Sequence, residues 1–268
     1  MAVQEVRTYI AGINSISTER LIDRATPGFI FREHLARYTS TLGHVAGKNV
    51  LDIACGTGYG SDYIMRKAKP KSIVAADIDP DALRYARLRY KHPNIEFVQA
   101  DACARWTDKK FDTIISFETI EHVPRPDVFL HQMISMLEPD GSLFVSSPVR
   151  RVGALSDAPA NPFHIREWTI DEFQALLNLF FNEVRLSGQS FSLLRKRGPI
   201  RIPGRFIRKM AKPVHLESPF FEALIYDVLP LDIVPVKYQA GPPTAMIAHC
   251  RGPKQNVDAD LALRLAMG

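Results

Sequence analysis

Cysteine is scarce in this chain of 268 residues, which contains only Cys55, Cys103 and Cys250. None of the three belongs to a C-x-x-C pair, the spacing that is typical of zinc sites and redox motifs. Three scattered cysteines also differ from the dense pattern of small disulfide-bonded proteins. The sequence therefore predicts neither a disulfide framework nor a structural zinc site.

A long apolar run is also missing. No stretch approaches the ~18–20 residues that a membrane-spanning helix needs, and residues 1–9 lack the apolar centre of a secretory signal peptide. We therefore expect a cytoplasmic protein without a transmembrane segment. The composition, 46% hydrophobic and 24% charged, is typical of a globular protein.

Acidic residues are absent from one segment of the C-terminal half. Residues 195–212 contain eight Lys and Arg and no Asp or Glu, whereas the whole chain has a net charge of +5. The segment fits a solvated surface loop, a site for a phosphate-bearing acceptor, or a peripheral contact with an anionic membrane face. Nucleic acid is not expected as a partner, because no recognised nucleic-acid module accompanies the basic patch.

The stretch VLDIACGTGYG at residues 50–60 is the strongest local pattern. An apolar run over residues 49–53 predicts a buried strand, and glycine then recurs at every second position before a helical pattern. Glycine has no Cβ, so backbone N–H groups and a helix N-terminus can approach a ligand there. Strand, glycine turn and helix are the beginning of a nucleotide-binding α/β fold.

The third glycine of the dinucleotide motif G-x-G-x-x-G is missing, because Ser61 occupies its position. Asp52 ends the strand directly before the turn. Its carboxylate would repel a bound pyrophosphate and attract an ammonium group. Both features argue against an NAD-dependent dehydrogenase.

The stretch resembles the first motif of class I S-adenosylmethionine (SAM)-dependent methyltransferases, D-x-G-x-G-x-G. Ala54 occupies the position of its first glycine, a change that many members of that family share. SAM carries an ammonium and a sulfonium group and no phosphate. The resemblance implies SAM as the cofactor, bound in part by Asp52, Ala54, Gly56 and Gly58.

Further cofactor-binding residues follow the next predicted strands. Asp77 ends the second strand, where a carboxylate can accept both ribose hydroxyls of a nucleoside; an ordinary strand-end acid is the alternative. The resemblance implies that Ile78 packs on the adenine, that Asp101 and Ala102 meet its amino group and a ring nitrogen, and that Phe117 lies beside the methionine part. The resemblance also makes Arg20 a candidate ligand of the methionine carboxylate. The alternative is that Arg20 is a solvated surface residue.

Two histidines are candidates for catalysis. His122 lies in ETIEHVP, after the fourth predicted strand, and His164 lies in NPFHIREWT, after the fifth. The first block resembles methyltransferases that act on hydroxyls of small molecules, quinone precursors and glycans. The second resembles bacterial methyltransferases found with polysaccharide and glycolipid pathways.

A hydroxyl acceptor benefits from a base, and neutral histidine is available for this role near pH 7. His122 and His164 are the two candidates, and Glu121 could orient a histidine. For each histidine the alternative is a structural role in its loop. No carboxylate cluster with the spacing of metal ligands is evident, so no metal site is predicted.

The alternation of strand and helix patterns predicts a doubly wound, mostly parallel sheet of seven strands, the last one antiparallel. We expect a single methyltransferase domain over residues 1–268. Its parts are an N-terminal cap (1–47), a SAM-binding core (48–192), an insertion with acceptor-side elements and a helix near 220–228 (193–242), the last strand (243–251) and a peripheral tail (252–268).

These observations predict a SAM-dependent O-methyltransferase that acts on a hydroxyl of a sugar-containing acceptor, such as a glycan, a glycolipid or a natural product. The alternatives are a small phenolic, quinone-like or amine metabolite as acceptor, and a SAM-binding protein without catalysis. The last is weakened by the presence of all three motif acids, Asp52, Asp77 and Asp101. The acceptor and the oligomeric state, a homodimer included, are left open.

Overall fold

The computed structural model describes residues 28–150, 159, 161–190, 232–235 and 243–267. The basic segment 195–212, the predicted helix near 220–228 and Arg20 lie outside the described residues.

Eight strands and six α-helices are formed within these ranges. The strands are β1 (Asn49–Ile53), β2 (Ser72–Asp77), β3 (Ile95–Gln99), β4 (Phe111–Ser116), β5 (Leu137–Pro148), β6 (Phe181–Ser190), β7 (Asp232–Pro235) and β8 (Ala245–Pro253). The helices are α1 (Gly28–Val45), α2 (Tyr59–Ala68), α3 (Pro80–Arg89), α4 (Pro126–Met136), α5 (Ile170–Phe180) and α6 (Ala259–Met267), and a short 3-10 helix covers Ile120–His122. Across the described ranges, no helix combines the length and the apolar character that crossing a membrane requires.

The strands form one sheet in the order β3-β2-β1-β4-β5-β8-β6-β7. The first five strands of this order run parallel. β8 pairs antiparallel with both β5 and β6, and β7 pairs antiparallel with β6 at the edge. The predicted α/β fold and the antiparallel last strand are thus confirmed. The additional strand β7 lies in the predicted insertion and extends the sheet from seven strands to eight.

Hydrophobic cores cover both faces of the sheet. Successive side chains of a strand point to opposite faces, so Val50 packs in the core that includes α1 and α2, while Leu51 packs in the core that includes α4 and α5. Both residues are fully buried. Burial on both faces explains why the central strands are continuous apolar runs rather than alternating patterns.

The C-terminal helix α6 is packed against the domain rather than peripheral as predicted. Its Ala262 and Ala266 are fully buried, and the helix contacts α4 and α5. The Arg166 guanidinium donates a hydrogen bond from Nη1 to the carbonyl of Ala266, at 3.0 Å. Since alanine contributes little to a hydrophobic pattern, the buried face was not evident from the sequence.

The parallel strands end at a common edge of the sheet. Ile53 pairs with Ala76, Asp77 with Gln99, and Ser116 with Val145. The residues that directly follow β1 to β5 therefore lie at one edge. Open α/β sheets bind ligands at this carboxyl edge.

Candidate cofactor and acceptor site

The glycine turn after β1 contains three residues with left-handed backbone conformation. The φ angles are 61° at Ala54, 55° at Gly56 and 81° at Gly58. A Cβ on Gly58 would lie 2.8 Å from the ring of Phe97, whereas the space beside Gly56 is open. The turn is therefore closed toward α3 and β3 and open at Gly56, where a ligand can approach the backbone. Ala54 adopts a conformation that costs a non-glycine residue ~1–2 kcal/mol.

Asp77 ties the glycine turn to β2. Its carboxylate accepts hydrogen bonds from the backbone N–H groups of Gly56, at 2.7 Å, and Asp79, at 2.9 Å. Only 3% of the residue is exposed. A carboxylate has about four acceptor positions. The structure thus places Asp77 beside the open part of the turn, and its role as ribose ligand stays a prediction.

Asp52 lies at the buried floor of the turn. It accepts hydrogen bonds from the Ser61 hydroxyl, at 2.5 Å, and the Tyr38 hydroxyl, at 3.1 Å. Tyr38 packs so closely on Gly60 that a Cβ there would lie 2.0 Å from its ring. Burial raises the pKa of Asp52 to about 6; the two hydroxyl bonds lower the pKa, and the charge of Asp77 raises it.

The raised pKa of Asp52 predicts a pH-dependent effect of Asp52→Asn on stability. The folded protein binds this proton more tightly than the unfolded chain does. The stabilisation is therefore complete below pH ~4 and is lost as the pH rises through 6. Asparagine avoids the cost of ionising the buried group. We expect the free energy of unfolding of the variant, relative to that of wild type, to increase by on the order of 2–3 kcal/mol when the pH is raised from 4 to 8. Urea unfolding at both pH values measures this change.

The matched control is Asp81→Asn, which replaces an exposed carboxylate in the first turn of α3. The difference between its free energy of unfolding and that of wild type should change by less than about 0.5 kcal/mol over the same pH range. If Asp52→Asn changed the free energy of unfolding by the same amount at pH 4 and at pH 8, the prediction would be wrong.

The other predicted cofactor residues lie at the same sheet edge. Ile78 is 60% exposed, unusual for a large apolar residue that directly follows a buried strand. Asp101 is exposed and accepts a hydrogen bond from the Cys103 N–H at 2.8 Å, and Ala102 is half-buried. Phe117 is buried and packs edge-on against Tyr38, with the ring centroids 5.1 Å apart. The nine residues predicted to bind the cofactor thus lie at or next to the carboxyl ends of β1 to β4, with Asp52 buried beneath the turn, and their binding roles stay predictions.

His122 and His164 lie against each other, with ring centroids 4.9 Å apart. His122 Nδ1 lies 3.0 Å from the carbonyl oxygen of Phe163. In His164, Nδ1 lies 2.7 Å from the Glu167 carboxylate and Nε2 lies 2.9 Å from the Asn161 amide nitrogen. A carbonyl or carboxylate oxygen only accepts, so Nδ1 is the donor in each neutral ring and Nε2 carries the lone pair.

Glu121 is a fully buried acid beside the two histidines. Among the described residues neither carboxylate oxygen has a hydrogen-bond partner. Burial raises the pKa of Glu121 well above its usual range, and the negative charge of Glu118 adds to this effect. The Glu121 backbone carbonyl accepts from the N–H groups of Ile165, at 2.8 Å, and Arg166, at 3.2 Å. These bonds hold the loop of His164 against the 3-10 helix of His122.

The carboxylate that hydrogen bonds a histidine is Glu167 rather than Glu121. Glu121 Oε1 lies 3.9 Å from His122 Nε2, beyond hydrogen-bond distance. Glu167 and Asn161 were not predicted as site residues. Their spacing from His164, three residues to either side, was the available signal.

Arg37 and Glu118 are two further site residues that were not predicted. Arg37 is 2% exposed, and its Nη2 lies 3.5 Å from Glu118 and 3.7 Å from Glu33. Its Nε and Nη1 have no hydrogen-bond partner within the described part of the chain. Glu118 follows β4 with φ 51° and accepts from the Ser146 hydroxyl at 2.8 Å. A buried guanidinium with unpaired N–H groups is suited to binding an anion.

Comparison with known proteins agrees with this geometry. Residues 51–145 match a family model described as a methyltransferase domain. A protein of Mycobacterium tuberculosis H37Rv named "Probable S-adenosylmethionine-dependent methyltransferase Rv3030" is 34% identical over 166 residues, which cover 61% of this chain and 59% of the relative. Residues 51–145 are thus a methyltransferase domain, and this relative is SAM-dependent by name. The comparisons thus support SAM as the cofactor.

Another relative of this chain is a fatty-acid O-methyltransferase of Mycolicibacterium smegmatis. It is 33% identical over 141 residues, 47% of this chain and 52% of the relative. The chain thus spans less than two thirds of the length of either relative. Among solved structures, the [4+2]-cyclase SpnF has a TM-score of 0.56 at 18% identity and covers 93% of both chains. That likeness shows the fold alone, since SpnF is named for a different reaction.

Proposed function

We propose that this methyltransferase transfers the methyl group of SAM to an oxygen atom of a lipid or glycolipid acceptor. The observation that carries the proposal is the position of His122 and His164. Both rings carry a lone pair on Nε2, and both lie in loops after neighbouring parallel strands, at the edge that also holds the glycine turn and Asp77.

The proposal assigns each cofactor contact to residues at this edge of the sheet. Asp77 accepts the ribose hydroxyls, Ile78 covers the adenine, and Asp101 with Ala102 meets its polar edge. Arg37 takes the role considered for Arg20 and donates its unpaired N–H groups to the methionine carboxylate. A guanidinium and a carboxylate form a strong charge-assisted pair.

The reaction is an in-line displacement at the methyl carbon. The acceptor oxygen forms the new O–C bond while the C–S bond breaks, and S-adenosylhomocysteine leaves. A hydroxyl acceptor must also lose its proton. We assign this loss to His122 and His164, whose orientation is fixed by Phe163 and Glu167.

An apolar part of the acceptor is supported by the surface around His164. Its neighbours Phe163 and Ile165 are 52% and 55% exposed. Large exposed apolar groups beside a polar site suit an amphipathic substrate. The name of the fatty-acid O-methyltransferase relative points the same way. A sugar acceptor without a lipid is the second candidate, favoured by the NPFHIREWT block.

A methyl-transfer assay with three acceptor classes tests the function. The full chain is incubated with labelled SAM and a hydroxylated fatty acid, a glycolipid or a free sugar, and labelled product is counted. We expect a kcat/KM at least tenfold higher for an acceptor with a lipid chain than for a free sugar. We also expect Phe163→Ser or Ile165→Ser to raise the lipid KM about tenfold, by removing ~1.5–3 kcal/mol of apolar contact.

Leu88→Ser is the matched control, because Leu88 is exposed on α3. It should leave the lipid KM unchanged. Binding of S-adenosylhomocysteine without turnover of any acceptor would instead support a non-catalytic protein, and turnover of free sugars alone would favour the second candidate.

A further inference from the structure

We propose that Glu121, His122 and His164 bind a divalent first-row transition-metal ion at the acceptor side of the site. The sequence predicted no metal site, because the ligands come from two loops about forty residues apart. The role of the ion in catalysis rests on the proposed function, whereas its binding does not.

The first observation is the distance between the three side chains. One ligand atom from each of Glu121, His122 and His164 can be chosen so that all three lie within 4.8 Å of one another. Bonds of ~2.0–2.2 Å from a shared ion to nitrogen and oxygen place two ligand atoms roughly 3.3–4.4 Å apart. Glu121 Oε1 and His122 Nε2 already lie 3.9 Å apart. These two atoms thus already have the spacing of ligands that share one ion.

The second observation is the orientation of both imidazoles. A histidine that binds a metal usually donates its other ring N–H to a carbonyl or carboxylate. His122 has this arrangement with the carbonyl of Phe163, and His164 has it with the carboxylate of Glu167. Each ring therefore has its lone pair on Nε2. The Asn161 amide that donates to His164 Nε2 occupies the position that the ion would take.

The third observation is the unpaired carboxylate of Glu121. The residue is fully buried, and both oxygens lack a hydrogen-bond partner among the described residues. A buried acid without a partner is unfavourable, and a bound cation removes that cost. Glu118 and Glu167 add negative charge around Glu121, and the opposing guanidinium is that of Arg37. The balance of these charges favours a cation.

The ligand set indicates the class of ion. Two imidazoles and one carboxylate suit zinc, manganese, iron, cobalt or nickel, whereas calcium and magnesium prefer oxygen ligands alone. Three protein ligands leave coordination positions open. An acceptor hydroxyl bound there would lose its proton more readily.

In this mechanism the proton is released to water and the oxygen electron pair forms the O–CH3 bond. The electron pair of the C–S bond stays on sulfur. His122 and His164 would then promote proton loss through the ion rather than by accepting the proton themselves.

Cobalt titration of the chelator-treated full chain tests the site. Co²⁺ binding is measured by calorimetry and by its visible absorption, and S-adenosylhomocysteine affinity is measured on the same samples. We expect one Co²⁺ site in the micromolar range or tighter. Glu121→Gln and His164→Ala should weaken Co²⁺ binding at least a hundredfold, and Glu167→Gln should weaken it 10–100-fold. His131→Ala, at an exposed position on α4, is the control and should bind Co²⁺ like wild type.

Retained S-adenosylhomocysteine affinity shows that each variant is folded. Absence of Co²⁺ binding, or binding that Glu121→Gln and His164→Ala leave unchanged, would overturn the site. Methyl transfer that is insensitive to a chelator would overturn the catalytic role of the ion while the site stands. Loss of methyl transfer with every acceptor, despite intact Co²⁺ binding, would count against the proposed function instead.

Discussion

Replacing Asp77 by asparagine is expected to weaken binding of S-adenosylhomocysteine at least a hundredfold. The carboxylate performs two tasks at once. It accepts the Gly56 N–H at 2.7 Å, which holds the glycine turn, and in the proposed function it also accepts the ribose hydroxyls. Hydrogen bonds to a charged group contribute ~1.5–3 kcal/mol each. The loss of two such bonds corresponds to a factor of about 10²–10⁴ in affinity.

Calorimetric titration of wild type and Asp77→Asn measures this effect. Asp81→Asn is the matched control, because it makes the same chemical change four residues away on an exposed surface. Its affinity should stay within about twofold of wild type. If Asp77→Asn bound S-adenosylhomocysteine as tightly as Asp81→Asn, the ribose assignment would be wrong.

Replacing His164 by alanine is expected to lower kcat at least a hundredfold and to change S-adenosylhomocysteine affinity by less than threefold. The ring lies in the loop after β5, next to His122, and Glu167 fixes its tautomer at 2.7 Å. Removing a group that promotes proton transfer typically costs a factor of ~10²–10⁴ in rate. The proposed cofactor contacts lie on the glycine turn and after β2 and β3, so we expect them to remain in this variant.

The measurement is steady-state kinetics with the acceptor identified in the assay above, combined with calorimetry. His131→Ala is the control for loss of an imidazole and should keep the wild-type kcat. Equal losses of turnover and cofactor affinity in His164→Ala would indicate a structural role. The cobalt titration then decides whether the histidine acts as a base or as a metal ligand.

Local signals predicted much of the fold correctly. The bounds of β1 and β2 agree with two apolar runs, at residues 49–53 and 72–77. The bounds of β3 agree with the alternating pattern IEFVQ at residues 95–99. Asp79 followed by proline predicts an N-cap, and Asp79 accepts from the N–H of Asp81 at the start of α3. The pattern T-x-x-E at Thr169 and Glu172 predicts a capping box, and both of its hydrogen bonds form at the start of α5. Each of these features depends on residues within a few positions of one another.

Features that depend on distant segments were predicted less well. The segment Pro-Asp-Gly at residues 139–141 predicts a turn. The structure places it inside β5, where pairing with β4 continues across an irregularity in register. The strand β7 forms by pairing with β6, and the buried face of α6 forms by packing on α4 and α5. Pairing and packing partners of this kind are not encoded by local periodicity.

The sequence by itself determined the α/β class and indicated the cofactor and the residues around the glycine turn. This was possible because the carboxyl ends of parallel strands lie at one edge of the sheet, and the motif residues directly follow those ends. Only the tertiary structure decided how the acceptor side is built. It brought His122 and His164 into contact and buried Glu121 without a partner. It also paired His164 with Glu167 rather than Glu121. Loop conformation sets the direction in which the lone pair of a histidine points, and burial sets the free-energy cost of a charge. The spacing of residues along the sequence shows neither the loop conformation nor the burial.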